Sequence, residues 1–182
     1  MSGIEPAVES ISSQDRLYND ATVQFGPALD RLAKAYEPDP EKRRDLLQEI
    51  HFSVWRSFAL YDTRCSLRTW IYRVAHNTAT TYVVRQRRVY ATLTSLEELD
   101  EIPGEDRSES ALDRRNASER LFRLIQMLKP LDRQVIVSWL EGMDAVSTGE
   151  VTGLSPANVA MKIHRIKTVL TRRFHSGVRY EE

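Results

Sequence analysis

The sequence predicts an all-α protein: two small helical domains joined by a flexible acidic linker, the C-terminal one containing a helix-turn-helix. Three observations predict this. Apolar residues recur at three- and four-residue spacing wherever a pattern exists, and no stretch alternates with the period of a strand. From Glu97 to Glu119 nine acidic residues meet three arginines without any apolar period, which marks a linker. Near the C-terminus, Gly153, Ser155 and Pro156 punctuate two helical stretches as a tight helix-to-helix turn does. The expected boundaries are a flexible tail over residues 1–14, a first domain over 15–89, the linker over 90–117 and a second domain over 118–182.

A helical pattern begins at Asp15, and Gly26-Pro27 interrupts it, either as a kink or as the first turn of a new helix. Phe25, Leu29, Leu32, Ala33 and Tyr36 then keep helical spacing until Pro38 and Pro40 end it. Asp39 is placed to cap the next helix, about Glu41 to Phe58. Leu46, Leu47, Ile50, Val54 and Phe58 form its apolar side, with Trp55 beside it. Asp45, Gln48, Glu49, Phe52 and Arg56 form another face. A charged helix face is usually simple solvation, but Phe52 does not suit that reading. Ala59 to Cys65 is a short connection.

The stretch Ser66 to Arg88 carries two messages. Leu67, Trp70, Ile71, Val74 and Ala75 make the apolar stripe of an amphipathic helix. Thr69, Arg73, His76, Asn77 and Thr80 lie on another face, and Arg85, Arg87 and Arg88 follow as a basic cluster. No Asp or Glu occurs from Thr63 to Thr94. Trp70 belongs to the core by its place on the stripe; Tyr72 is left open. Polar, aromatic and guanidinium groups on one helix suit a single strand or an opened duplex, which needs ring faces and cations.

In the second domain Leu121, Leu124, Ile125 and Leu128 mark one helix, ended by Lys129-Pro130. Leu131, Val135, Ile136, Trp139 and Leu140 mark another, closed by Gly142. A short helix is expected from about Asp144 to Thr152, and a long one from Ser155 to about Phe174 with Val159, Ile163, Ile166 and Leu170 inward. Asn158, Met161, Lys162 and Arg165 share the free face of that last helix. Asn pairs with adenine, and Lys or Arg with guanine or phosphate, so the face suits a major groove; a solvated basic face is the plainer alternative.

Net charge is zero, yet its distribution favours a polyanionic partner. Six arginines and no acid lie between Thr63 and Thr94, and six Lys or Arg and no acid between Val151 and Tyr180. Local patches, not the total, set the field a phosphate backbone meets. Cys65 is the sole cysteine, which excludes an intrachain disulfide and a Cys-rich metal site. His51, His76, His164 and His175 are scattered, and no Gly-rich phosphate loop exists. No catalytic residues, cofactor or metal are therefore expected. The polar, acidic N-terminus lacks the basic start and apolar block of a secretory signal, so a cytoplasmic protein without membrane insertion is expected.

Three segments together resemble one family. Asp45-Leu-Leu-Gln-Glu49 through Trp55, Ser66-Leu-Arg-Thr-Trp-Ile-Tyr-Arg-Val-Ala-His-Asn77, and Gly153-Leu-Ser-Pro-Ala-Asn-Val159 with Ile163-His-Arg165 resemble, in order, motifs of bacterial RNA polymerase sigma factors of the extracytoplasmic-function group. The resemblance covers Leu17 to Phe174 apart from the linker. It implies a non-enzymatic sigma factor that binds core polymerase, recognises −35 and −10 promoter elements and promotes DNA opening.

The resemblance also implies roles for matching residues. Asp45, Gln48, Glu49, Phe52, Trp55 and Arg56 would dock on the clamp of the largest polymerase subunit. The loop from Leu60 to Ser66 would capture a flipped −10 base. Arg64, Ser66, Arg68, Thr69, Arg73 and Asn77 would hold the opened strand, with Arg85, Arg87 and Arg88 on upstream phosphates. Ser155, Asn158, Met161, Lys162 and Arg165 would read the −35 element. Further partners implied are the flap of the second-largest subunit and an anti-sigma factor; the acidic linker is a candidate shield in cis. His51, Ala145, Thr148 and Gly149 depart from the family pattern. Gly149 inside a helix costs about 1 kcal/mol relative to Ala, so the short helix is expected to be loosely held. A DNA-binding regulator acting without polymerase would explain only the last helix, and a nucleic-acid enzyme none of the three segments.

Overall fold

The computed structural model describes residues 13–94 and 113–176, and every regular element among them is helical. The order is α1 (Ser13–Tyr36), α2 (Pro40–Ser57), a 3₁₀ turn (Phe58–Leu60), α3 (Leu67–Thr94), α4 (Asp113–Gln126), α5 (Pro130–Leu140), α6 (Ala145–Thr152) and α7 (Pro156–Ser176).

Helix α1 runs as one element through Gly26-Pro27, so no new helix starts there. Proline removes one intrahelical hydrogen bond. Here Pro27 and Val23 both lie on the exposed side, where water can serve the freed carbonyl. The buried stripe of Ala21, Phe25, Ala28, Leu29 and Leu32 passes through the proline in register, and its packing holds the helix. Helix α1 also begins earlier than expected. Ser13 and Gln14, placed in the tail, are helical, and Gln14 donates to the Trp55 carbonyl at 2.7 Å. The rest of the tail lies outside the described residues.

Asp39 caps α2 as its position suggests, accepting from the backbone of Glu41 at 2.8 Å and Lys42 at 3.2 Å. These amides hold its carboxyl below the usual carboxylate range. Leu46, Ile50 and Val54 of α2 pack with Leu32 of α1 and with Ile71, Ala75 and Ala79 of α3. Burying each large aliphatic chain contributes about 1.5–3 kcal/mol.

Helices α4 to α7 wrap around Ile125, Val135, Ile136, Val159, Ile166 and Leu170. Asp144 caps α6 by accepting from the Ser147 amide at 2.7 Å. Gly153 turns the chain from α6 to α7 at φ 77°, a left-handed conformation that favours glycine. The expected α5 stripe needs correcting. Trp139 and Leu140 remain partly exposed, whereas Val137 and Ser138 are buried, because α5 has neighbours on two sides. One is α7; the other is the N-terminal half, since α4 and α5 lie against α1, and α5 and α6 against α3. Helix α3 extends to Thr94 and α4 starts at Asp113, so both run into the stretch assigned to the linker. Residues 95–112 lie outside the described residues, and with them most of the acidic run.

Candidate polymerase and nucleic-acid interfaces

Two potential binding surfaces involve the α2–α3 pair. The first is an open groove of about 470 Å³ lined by Asp45, Gln48, Glu49 and Phe52 of α2 and by Tyr82, Arg85 and Gln86 of α3. Phe52 is 58% exposed. Its ring stacks on Trp55 with centroids 6.1 Å apart, and the Arg56 guanidinium covers it at 5.7 Å. Trp55 is fixed from below, where its indole N–H donates to Asp15 at 2.9 Å. Tyr82 donates to the Lys42 carbonyl at 3.0 Å and so ties the two walls together. An apolar ring on a rigid helix, rimmed by carboxylates and amides, suits a protein partner that offers an apolar contact and cations. The sequence reading found the α2 wall but not Tyr82 or Gln86, which reach it from a helix 40 residues away in the chain.

Of the basic cluster at the end of the Ser66–Arg88 stretch, the Arg85 side chain is described. Arg85 turns to this groove, pairs with Glu49 and covers the Tyr82 ring at 5.4 Å. Arg87 and Arg88 lie on α3, but their side chains are outside the described residues.

The second surface begins at the connection before α3. Tyr61 donates to the Cys65 carbonyl at 2.9 Å, and Thr63 has φ 63°. Arg64 is exposed beside Asp62 at 2.9 Å. Ser66 is the N-terminal cap of α3: its Oγ accepts from the Thr69 amide at 3.0 Å and donates to the Thr69 hydroxyl at 2.9 Å. Thr69, expected on the exposed polar face, is 1% exposed and engaged in this cap. Trp70 sits in the core side of the helix, with its indole N–H donating to Ser57 at 2.9 Å.

Arg68 and Arg73 of α3 both reach the C-terminal half. Arg73 donates to the Glu150 carbonyl at 2.8 and 3.1 Å, and Arg68 donates to the Glu141 carbonyl. Asn77 is exposed. Tyr72, left open by spacing, is buried; its hydroxyl donates to Glu141 at 3.4 Å, and burial, helped by that carboxylate, pushes its pKa up to about 12. His76 is also buried rather than on the open face. It lies 2.9 Å from the Tyr36 hydroxyl and 3.2 Å from the Ser138 hydroxyl, and burial lowers its pKa to about 3.

The third surface is the outer face of α7. Ser155, Asn158 and Arg165 are exposed, and Met161 is 65% exposed. Ser155 accepts from the Asn158 amide at 3.3 Å. Lys162 shares this face but is half-buried in an ion pair with Asp132 at 2.6 Å. Gly149 is not a weakness in α6. A Cβ there would lie 2.5 Å from the Leu154 carbonyl oxygen, so only glycine lets the turn close onto the helix. Behind this face, Trp139, Met143, Ile163 and Lys167 line a groove of about 880 Å³ that spacing did not reveal, with the Lys167 ammonium 4.8 Å over the Trp139 ring.

Among the described residues, no cluster of His, Cys, Asp and Glu is arranged to hold a metal ion. No helix among them is long and apolar enough to cross a membrane.

Residues 23–89, which contain α2 and most of α3, match the family model of sigma-70 region 2. A search of curated protein sequences found no match. Solved structures share the fold. CnrH in complex with the cytosolic domain of CnrY is 19% identical with a TM-score of 0.63, covering 92% of this chain and 94% of that one. The sigma factor RpoE in complex with the anti-sigma factor NepR, from Bartonella quintana, is 16% identical with a TM-score of 0.64, covering 89% and 98%. The resemblance read from the motifs is borne out over residues 23–89, the segment that matches sigma-70 region 2.

Proposed function

We propose that the chain is an alternative sigma factor of the extracytoplasmic-function group, which joins core RNA polymerase and directs it to promoters. The observation that carries this reading is the exposed Phe52 on the α2 groove, within the segment that matches region 2. A largely exposed aromatic, stacked on Trp55 beside Asp45, Gln48 and Glu49, suits the clamp of the largest polymerase subunit. The loop from Leu60 to Ser66, with Arg68, Arg73 and Asn77 of α3, would hold the opened −10 strand. Extruding a base costs a few kcal/mol, which cations and a loop pocket would offset. Thr69 would act from beneath, by fixing the start of α3.

Helices α6 and α7 form the helix-turn-helix of a second, region 4-like domain. In it Asn158, Met161 and Arg165 meet the −35 element, and Lys162 joins them once released from Asp132. The groove beside Trp139 suits the flap of the second-largest subunit. The two structural neighbours were both solved with a bound partner, NepR being an anti-sigma factor; an anti-sigma factor is a fitting partner here as well. The protein would do no covalent chemistry and would act in the cytoplasm with polymerase.

The test is reconstitution of the purified chain with core polymerase on a randomised promoter pool. Run-off transcripts sharing −35 and −10 sequences are expected. A chain that fails to bind core polymerase, or yields no transcript above core alone, overturns the reading. Footprinting without polymerase separates it from an independent DNA-binding regulator, which would protect its site unaided.

A further inference from the structure

We infer that Asp132 of α5 is a positioning residue for the proposed DNA-reading face of α7. By pairing with Lys162 it withdraws that ammonium from sequence-independent attraction to phosphate, and so sharpens selectivity at the cost of affinity. The inference deepens the proposed role of α7 and rests on it.

Lys162 stands in the middle of the face, four residues after Asn158 and three before Arg165, a spacing that puts all three on one side of the helix. Its neighbours there are exposed. Its own side chain is only 32% exposed, and its ammonium lies 2.6 Å from the carboxylate of Asp132, itself 23% exposed. Asp132 belongs to the first turn of α5, which Pro130 opens. The unpaired amides of a helix N-terminus favour a negative charge, so the carboxylate has a second reason to stay in place. Helices α5 and α7 lie against each other, and Val135, Ile136, Val159 and Ile166 on them are buried. The core thus fixes the two backbones from which the pair is made.

A free lysine on a groove-facing helix draws in phosphate whatever the base sequence, and each such contact adds about 0.9 to the slope of log affinity against log salt. The paired Lys162 makes no such net contribution. Moving to a phosphate exchanges one anion for another, and it leaves a half-buried carboxylate without its partner, which is costly. It also leaves Asp132 as a negative charge near the DNA backbone, which disfavours every complex whose base contacts do not compensate. Asn158, able to pair with adenine, and Arg165, able to meet guanine in two bonds, keep their full contribution. Base contacts therefore make up a larger share of the affinity of α7 than its formal charge suggests.

The test uses the full chain as wild type, Asp132→Asn, Lys162→Ala and the double variant, with thermal melts to show that each is folded. Fluorescence anisotropy reads affinity for a mixed-sequence duplex of about 25 base pairs at about 50 and 200 mM salt. Asp132→Asn is expected to bind more tightly than wild type and to steepen the salt slope by about 0.9, so that its affinity changes about 3.5-fold more than that of wild type between the two salts. The same substitution made in the Lys162→Ala background is expected to change neither reading. Unaltered or weaker binding by Asp132→Asn overturns the inference, as does the absence of any measurable binding by it. Equal gains with and without Lys162 overturn it too, since they would mean that Asp132 acts through net charge alone. Reconstituted polymerase carrying Asp132→Asn should also discriminate less between matched and scrambled −35 elements, and unchanged discrimination overturns the effect on selectivity. A chain that supports no transcription refutes the proposed function instead, and the duplex readings still decide whether Asp132 restrains Lys162.

Discussion

The His76 ring lies 3.2 Å from the Ser138 hydroxyl, 62 residues further along the chain, and joins α3 to α5 at a point closed to water. Tyr36 meets the other ring nitrogen, and the Arg133 guanidinium lies 5.0 Å over the Tyr36 ring.

Burial holds His76 neutral in this setting, with its pKa lowered to about 3 from an ordinary 6.5. An opened or unfolded chain takes up the proton near the ordinary value. The histidine therefore supports the packed state fully above pH 6.5, and that support is lost as pH falls from 6.5 toward 3. The loss is steepest at about 1.4 kcal/mol per pH unit. His51 is also lowered by burial and acts in the same direction. Thermal melts at pH 7.5 and 5.5 should show a clear drop in Tm for the wild type and a smaller one for His76→Gln. Equal drops would mean that another group carries the pH dependence.

Gly149 gives a prediction whose sign depends on the turn. Helix propensity alone makes Gly149→Ala stabilising by about 1 kcal/mol. The added Cβ, however, would stand 2.5 Å from the Leu154 carbonyl oxygen, which is backbone and cannot swing aside. Overpacking costs typically about 1–3 kcal/mol and outweighs the gain. Chemical denaturation should find the variant destabilised by about 1 kcal/mol or more. A more stable variant would show that the α6–α7 turn yields easily.

This glycine shows where the sequence stops being informative. Periodicity identifies a face that packs against one neighbour, and it located Leu32, Ile50, Ile71, Val159 and Ile166 correctly. It has no means of detecting a second neighbour. The burial of Val137 and Ser138, the engagement of Arg68 and Arg73, and the pairing of Arg31 with Glu141 all arise from contacts across the two halves. Gly26-Pro27 starts no new helix for a related reason, since the apolar stripe on both sides keeps α1 in one piece. Motif resemblance carried the polymerase groove further than spacing did, because spacing alone does not say why Phe52 stays largely exposed.

Phe52→Ala should separate folding from function. The ring is mostly exposed, so its loss should change stability by no more than about 0.5 kcal/mol. As the proposed anchor in the polymerase contact it should cost about 2 kcal/mol of binding, roughly a thirtyfold weaker affinity for core polymerase. A thermal melt and a titration with fluorescently labelled core polymerase measure the two effects. A variant that binds core polymerase as tightly as wild type would remove Phe52 from the interface.

The outer face of α7 offers two cations, Lys162 and Arg165, that the structure treats differently. Lys162 is tied to Asp132 at 2.6 Å and half-buried, so reaching DNA would mean giving up that pair. Arg165 is exposed on the same face, one turn from Met161. A guanidinium able to meet guanine in two bonds is worth about 1–3 kcal/mol of discrimination. If Arg165 instead meets phosphate, its removal lowers the salt slope of binding by about one unit. Arg165→Ala should therefore weaken promoter binding by the reconstituted polymerase more than Lys162→Ala does. Measuring both variants at two salt concentrations, on promoters with matched and altered −35 elements, distinguishes base from phosphate contact. A larger loss from Lys162→Ala would mean that the Asp132 pair breaks readily on DNA and that Lys162 leads the recognition.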